Sequence, residues 1–194
     1  MRTALPAPFL ALTLALASVL AAMPACAAPQ AWTVDHAASR LGFKAAMNGV
    51  GFDGVFKRWD AAIAFDPQDL KDSRAVVGVD LSSTVTGDPT RDEALPTDDW
   101  FAVKRFPKAV FASRSIGRTG PDRYVAQGDL TIRGARRPAT LNFTLHIDHG
   151  VAHLDGTAAV DRIGYGVGQG QFKGPETVAA AVVVVVHLTA KAGK

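Results

Sequence analysis

The chain has 194 residues, with 21 Lys and Arg against 18 Asp and Glu, and one cysteine. That length suits one domain with a real core, and a lone cysteine excludes an internal disulfide framework. The near-balanced charge is interspersed and has no basic run with interleaved aromatics, which argues against nucleic acid as a partner.

The N-terminus reads as an export leader. Arg2 is followed by an apolar run from Phe9 to Ala22 and then by Ala25-Cys26-Ala27, the charged, apolar and small-residue regions of a secretory signal. The run is shorter than the roughly 20 residues that span a bilayer. Cleavage is expected after Ala27, because a cut one residue later would leave Pro29 first. Residues 1–27 are thus a cleaved leader, 28–194 the mature domain, and the periplasm its expected location. Cys26 as a lipidated cysteine is the second reading, with Met23-Pro24-Ala25 a poor approach to one.

Beyond the leader the apolar period is two, the mark of strands with one buried face. Leu41, Phe43, Ala45 and Met47 form the first set. Val55, Trp59, Ala61, Ile63 and Phe65 are expected to share a face, opposite Arg58 and Asp60. Val77, Val79 and Leu81 alternate with Gly78 and Asp80. Leu141, Phe143, Leu145 and Ile147 alternate with polar neighbours, and Val178 to Leu188 is apolar on both faces. Turn signals separate these runs at Asp66-Pro67, 117–121, 133–135, 148–150 and Gly174-Pro175. Such spacing predicts an all-β sandwich or barrel. Short helical turns are expected across 87–106, with Thr97 as an N-cap before Asp98.

No constellation stands out as catalytic. Ser82, Ser83, Ser113 and Ser115 lie outside any G-x-S-x-G elbow. Asp92-Glu93 and Asp98-Asp99 read as capping or solvated acids. His146, Asp148, His149 and His153 fall on a surface hairpin without the surrounding groups that orient metal ligands, so no metal is expected. Gly164, Gly166, Gly168 and Gly170 fit neither a phosphate loop nor a dinucleotide fingerprint; they mark close backbone approach. Arg133, Arg136 and Arg137 flank a turn and are candidate head-group contacts at a cavity mouth, with a solvated turn as the alternative.

An ordered set of short motifs runs through nearly the whole mature chain: Trp32-Thr33-Val34-Asp35 with Ser39; Leu41-Gly42-Phe43; Gly54-Val55-Phe56 through Trp59 to Ile63-Ala64-Phe65-Asp66-Pro67. It continues with Arg91-Asp92, Leu95, Asp99-Trp100-Phe101 and Phe106-Pro107-Lys108-Ala109-Val110-Phe111. The last pieces are Gly128 to Gly134 with Pro138, and Asp161-Arg162 followed by Tyr165-Gly166-Val167. The set resembles the YceI-like family of secreted lipid-binding proteins. The resemblance implies an extended antiparallel lipocalin-like β-barrel whose elongated cavity holds a polyisoprenoid, such as an isoprenoid quinone or a prenyl phosphate, without cofactor or catalysis. Ala38, Met47 and Ala94 stand where relatives often carry His.

In an ordinary barrel the aromatics would fill the interior; under the resemblance they line a cavity. The expected lining is Phe43, Ala45, Met47, Phe52, Phe56, Trp59, Phe65, Val79, Trp100, Phe101, Phe111, Leu130 and Phe143. Burying about ten methylenes at ~0.8 kcal/mol each gives roughly 8 kcal/mol before ordering costs, enough for about micromolar binding. The rival readings are a fatty acid or fatty amide carrier, a filled barrel that meets a membrane redox protein, and a lipid hydrolase.

Overall fold

A computed structural model describes residues 29–193; the leader expectation lies outside them. Eleven strands form one antiparallel sheet: β1 (Ala31–Val34), β2 (Arg40–Met47), β3 (Val50–Phe56), β4 (Trp59–Ala64), β5 (Arg74–Asp80), β6 (Thr84–Val85), β7 (Lys108–Arg118), β8 (Arg123–Ile132), β9 (Ala135–Asp148), β10 (Val151–Asp161) and β11 (Ala181–Ala192). The pairing of β1 with β11, Trp32 opposite Ala192 and Val34 opposite Ala190, closes the sheet into a ring. The fold is an all-β barrel, the class expected from the alternating pattern.

Its first six strands are three long ones, each broken once. β1 and β2 lie in line along the same edge of β11. β3 and β4 together run beside that pair, and β5 and β6 beside those. The barrel is therefore an eight-stranded up-and-down meander.

Each break is held by a local hydrogen-bond device. Between β1 and β2, Asp35 Oδ1 accepts from Ala37 N (3.1 Å) and Ala38 N (3.2 Å). The Asp35 N–H donates to the Thr189 carbonyl at 2.8 Å, and Ser39 Oγ accepts from the Thr189 N–H at 2.9 Å. Ser83 joins the other two breaks. Its carbonyl accepts from Lys57 N at 3.1 Å and its hydroxyl from Arg58 N at 3.0 Å. With Leu41 opposite Phe56 and Phe56 opposite Thr84, the three breaks lie side by side at one level of the wall.

The break at Lys57–Arg58 changes the phase of the strand, which corrects one expectation. Phe56 points inward with Phe43 and Leu41, Trp59 points inward again beyond the break, and Val55 faces outward beside Val85.

Three of the hairpins turn on residues with positive φ: Asn48-Gly49 (51° and 77°), Arg133-Gly134 (50° and 76°) and His149-Gly150 (46° and 76°). Two consecutive residues of this kind match the twist of the strands they join.

The crossover from β6 to β7 contains the one α-helix of the described residues, α1 (Pro89–Ala94). Asp88 caps it, Oδ1 accepting from Arg91 N at 3.1 Å, and Pro89 sits in its first turn, a favoured site. The helix thus precedes Thr97, whose hydroxyl donates to the Ala94 carbonyl at 2.7 Å and caps no helix start. The last strand also begins later than expected, because Val178, Ala179 and Ala180 give their carbonyls to Arg162.

Candidate functional site

The interior holds two apolar chambers. The first, about 220 Å³, occupies the continuous barrel below the breaks, between Trp59, Val77, Phe111, Leu130, Leu141 and Val186. The second, about 200 Å³, lies above them against Phe43, Ala45, Met47, Phe52, Val182 and Val184. Its remaining wall is supplied by the crossover, with Arg91, Leu95, Trp100 and Phe101, and by the segment after β10, with Val167, Phe172 and Val178. Phe56, Phe101, Ile132, Val160 and Val184 border both chambers. The level of the strand breaks is therefore also the level at which the two chambers adjoin.

Every residue expected to line the cavity borders one chamber or the other. Phe43, Ala45, Met47, Phe52 and Trp100 border the second, while Trp59, Phe65, Val79, Phe111, Leu130 and Phe143 border the first; Phe56 and Phe101 border both. Side chains two apart on a strand share a face, so alternation finds the strand members of this set, while Trp100 and Phe101 lie in the crossover.

The far end of the first chamber is closed. Tyr124 stacks on Phe143 with ring centres 5.5 Å apart and meets Phe65 edge-on at 5.7 Å. Trp32 completes this floor and donates from Nε1 to the Phe65 carbonyl at 2.9 Å. The Tyr124 hydroxyl accepts from Arg118 at 2.6 Å. These polar atoms are thus engaged, and the floor presents hydrocarbon to the chamber.

Arg162 organises the roof of the second chamber. Only 4% exposed, it donates from Nε to Ala179 O (3.0 Å), from Nη1 to Val167 O (2.7 Å) and Phe172 O (2.9 Å), and from Nη2 to Gly174 O and Val178 O (both 2.6 Å). All five guanidinium donors are matched by backbone carbonyls. Burial lowers its pKa from the ordinary arginine value, while the Asp161 and Glu176 carboxylates oppose that shift. Gly168 has φ 86°, and a Cβ there would fall 2.4 Å from Arg162 Nη1. The Gly-rich stretch is thus the place where a strand end folds over this cation.

Arg133, Arg136 and Arg137 border neither chamber. Arg133 Nη1 donates to the carbonyls of Asp98 and Trp100, pinning the crossover. Arg136 pairs with Asp129 at 2.5 Å, and Arg137 Nε donates to Gly164 O at 2.6 Å. Arg91 and Arg162, which do border the second chamber, were not among the expected contacts. Arg91-Asp92 in the crossover was the available signal; the partners of Arg162 are non-local and leave none.

The histidine hairpin is outside the barrel. His146 is opposite His153, His149 Nδ1 lies 2.6 Å from Asp148, and His153 Nδ1 lies 3.3 Å from Thr189 Oγ1. No group of three or more His, Cys, Asp or Glu able to hold a metal occurs among the described residues.

Comparison with known proteins gives a consistent picture. The YceI-like domain matches residues 32–190. A UPF0312 protein of Photorhabdus laumondii is 34% identical over 92 residues, 47% of each chain. One of Pseudomonas syringae pv. tomato is 29% identical over 126 residues, 61% of this chain and 66% of that one. The match therefore spans about half to two thirds of the length of these relatives. The crystal structure of Burkholderia cenocepacia BcnA superposes with a TM-score of 0.77 at 30% identity, over 80% of this chain and 98% of that one. A polyisoprenoid binding domain from Saccharophagus degradans has the same fold (TM-score 0.64, 15% identity, 84% and 99% covered).

Proposed function

Because the chain belongs to the YceI-like family, we propose that it holds a long apolar lipid, an isoprenoid chain above all, along its two chambers. The observation that carries this reading is the interior itself: two adjacent cavities of about 220 and 200 Å³ that share five bordering residues and present only apolar surface. Together they reach the range of roughly 300–1,000 Å³ typical of ligand sites. Apolar area supplies the affinity and needs no charged partner. The polyisoprenoid-binding neighbour of the same fold supports the ligand class. The protein acts as a binder or carrier and not as a catalyst. It works in the periplasm after losing residues 1–27, a proposal resting on the apolar run and the small residues that follow it.

The test is organic extraction of the purified protein followed by mass spectrometry, on the parent and on Ala45→Trp. Ala45 borders the second chamber, so the added ring takes ligand space and should abolish lipid recovery while the barrel stays folded. A filled barrel would yield no lipid from the parent and would be destabilised by about 1–3 kcal/mol in the variant. Recovery of a fatty acid or amide would reassign the ligand, and recovery of cleaved lipid would point to a hydrolase. Intact mass tests export: the mature protein should begin at Ala28, and an acylated Cys26 terminus would make it a lipoprotein.

A further inference from the structure

We propose that lipid enters and leaves through the side of the barrel, between the first half of β9 and the end of β10, and that the turn 163–165 carrying Tyr165 is the gate. This rests on the lipid-binding reading and adds the route and its control.

The wall is incomplete at this place. β9 pairs with β8 from Ala135 to Thr144, and β10 pairs with β11 as far as Asp161. With each other, the two strands pair only between Asn142–Asp148 and Val151–Thr157. Beyond Asn142 and Thr157, no hydrogen bond joins 135–141 to 158–161 among the described residues. Pro138 supplies a cause. Bonded and non-bonded positions alternate along an antiparallel pair. Counting from the Ile132–Ala135 pair at the turn, Pro138 would bond toward β10, opposite Asp161, and it has no N–H to give.

The two lips of this slot line the interior. Ala139 and Leu141 of β9 and Ala158 and Val160 of β10 all border the first chamber, and Val160 borders the second as well. Their outward neighbours Thr140 and Ala159 are exposed. The slot is thus a short apolar passage from water to the place where the chambers adjoin.

Elsewhere the interior is held shut more firmly. Packed aromatic rings close the floor, and Arg162 ties the roof through five backbone carbonyls. Over the slot lies the turn 163–165, which packs on β9. Tyr165, 5% exposed, shares an apolar cluster with Val160, Ile132 and Ala135, and so fills the space between the two strands. One hydrogen bond from β9 holds this turn among the described residues, Arg137 Nε to the Gly164 carbonyl at 2.6 Å. Gly166, with φ 69°, follows Tyr165 and gives the chain a place to swing. A single tie against five makes this turn the part that opens first.

The experiment follows uptake and release of a farnesyl alcohol carrying an anthraniloyl fluorophore, by stopped flow, with the tryptophans of the lining as energy donors. Thr140→Cys with Ala159→Cys, in a Cys26→Ser background, puts one thiol on each outer lip, and a bismaleimide bridges them. Bridging should slow uptake and release together by about tenfold or more and leave Kd unchanged, because a route alters rates and not end states. The same bridge at Asn142→Cys with Thr157→Cys, the last paired position, should change neither rate. Arg137→Met removes the tie and should raise both rates by about three- to tenfold, the effect of one net hydrogen bond. Rates untouched by the bridge would overturn the side entry, and a weaker Kd with unchanged uptake would overturn it too, as a distorted chamber. A bridge effect without an Arg137 effect would keep the route and overturn the gate. All of these leave lipid binding standing, whereas a parent that takes up no probe would overturn the lipid reading along with this one.

Discussion

The ring of Phe43 covers the Cα of its cross-strand partner Gly54, so that a Cβ at position 54 would stand 2.2 Å from Phe43 Cζ. The missing side chain is what lets an aromatic ring lie flat against the wall and leave the second chamber open. Gly54→Ala should drive the ring into that chamber. The expected result is a loss of about 1–3 kcal/mol from overpacking together with reduced lipid recovery, read by thermal unfolding and by extraction. An unchanged lipid content would mean that Phe43 swings elsewhere.

Arg162→Met should cost roughly 3–5 kcal/mol, because several buried carbonyls lose their donor at once, each worth about 1–3 kcal/mol. Lysine should not rescue it, since one ammonium cannot span carbonyls spread from Val167 to Ala179. Limited proteolysis supplies a second readout: cleavage in 163–180 should rise well before global unfolding.

Enlarging a residue between the chambers should alter which chains fit. Val184 borders both chambers, and Val184→Phe should narrow the passage between them. Long isoprenoids should lose affinity while a short one that fits a single chamber keeps it. Titration with prenyl alcohols of increasing length measures the shift, and a uniform loss at every length would show that the chambers are not occupied in series.

Acid should loosen the crossover. Asp92 accepts from Thr86 N (2.7 Å) and Oγ1 (2.6 Å), and the Thr86 hydroxyl above all holds its carboxyl below the ordinary aspartate value of 3.8. A depressed folded pKa gives stability that is complete above the unfolded value and lost as pH falls through the folded one. Asp92→Asn should therefore lower the melting temperature near neutral pH, and the difference from the parent should vanish in strong acid. A gap independent of pH would assign the effect to packing. Asp80, held low chiefly by Ser82 with Arg58 also contributing, should behave in the same sense.

The strands and their inward faces were legible because both follow from alternation, whereas Trp100 and Phe101 of the lining lie in the crossover and came from the family resemblance. A face repeats every second residue whatever its neighbours are, so Phe43 through Met47 and Leu141 through Ile147 could be assigned without knowing what they oppose. The breaks were not legible. Nothing local distinguishes Lys57-Arg58 from a continuing strand, and the partner that bends it there, Ser83, lies 25 residues on. That is why Val55 was expected on the wrong face. Two further signals are local to the chain: Asn48-Gly49, a strong hairpin dipeptide, and Asp88-Pro89, a helix start ahead of Thr97. The roof over the second chamber depends on carbonyls 5 to 17 positions from Arg162, and backbone acceptors carry no mark in a sequence.

The seam that closes the ring also sets the order of events during folding. Strand β11 pairs with β10, β1 and β2, and so joins the earliest and the latest strands of the described chain. Until residues 181–192 exist, the first two strands lack the partner on their outer edge, and the remaining meander is an open sheet with its apolar face toward water. Closure waits on contacts about 150 residues apart in the chain, such as Ser39 with Thr189, and long loops of this kind make the final step slow. The barrel is therefore a late product. The enclosed interior comes into being only when β11 is in place.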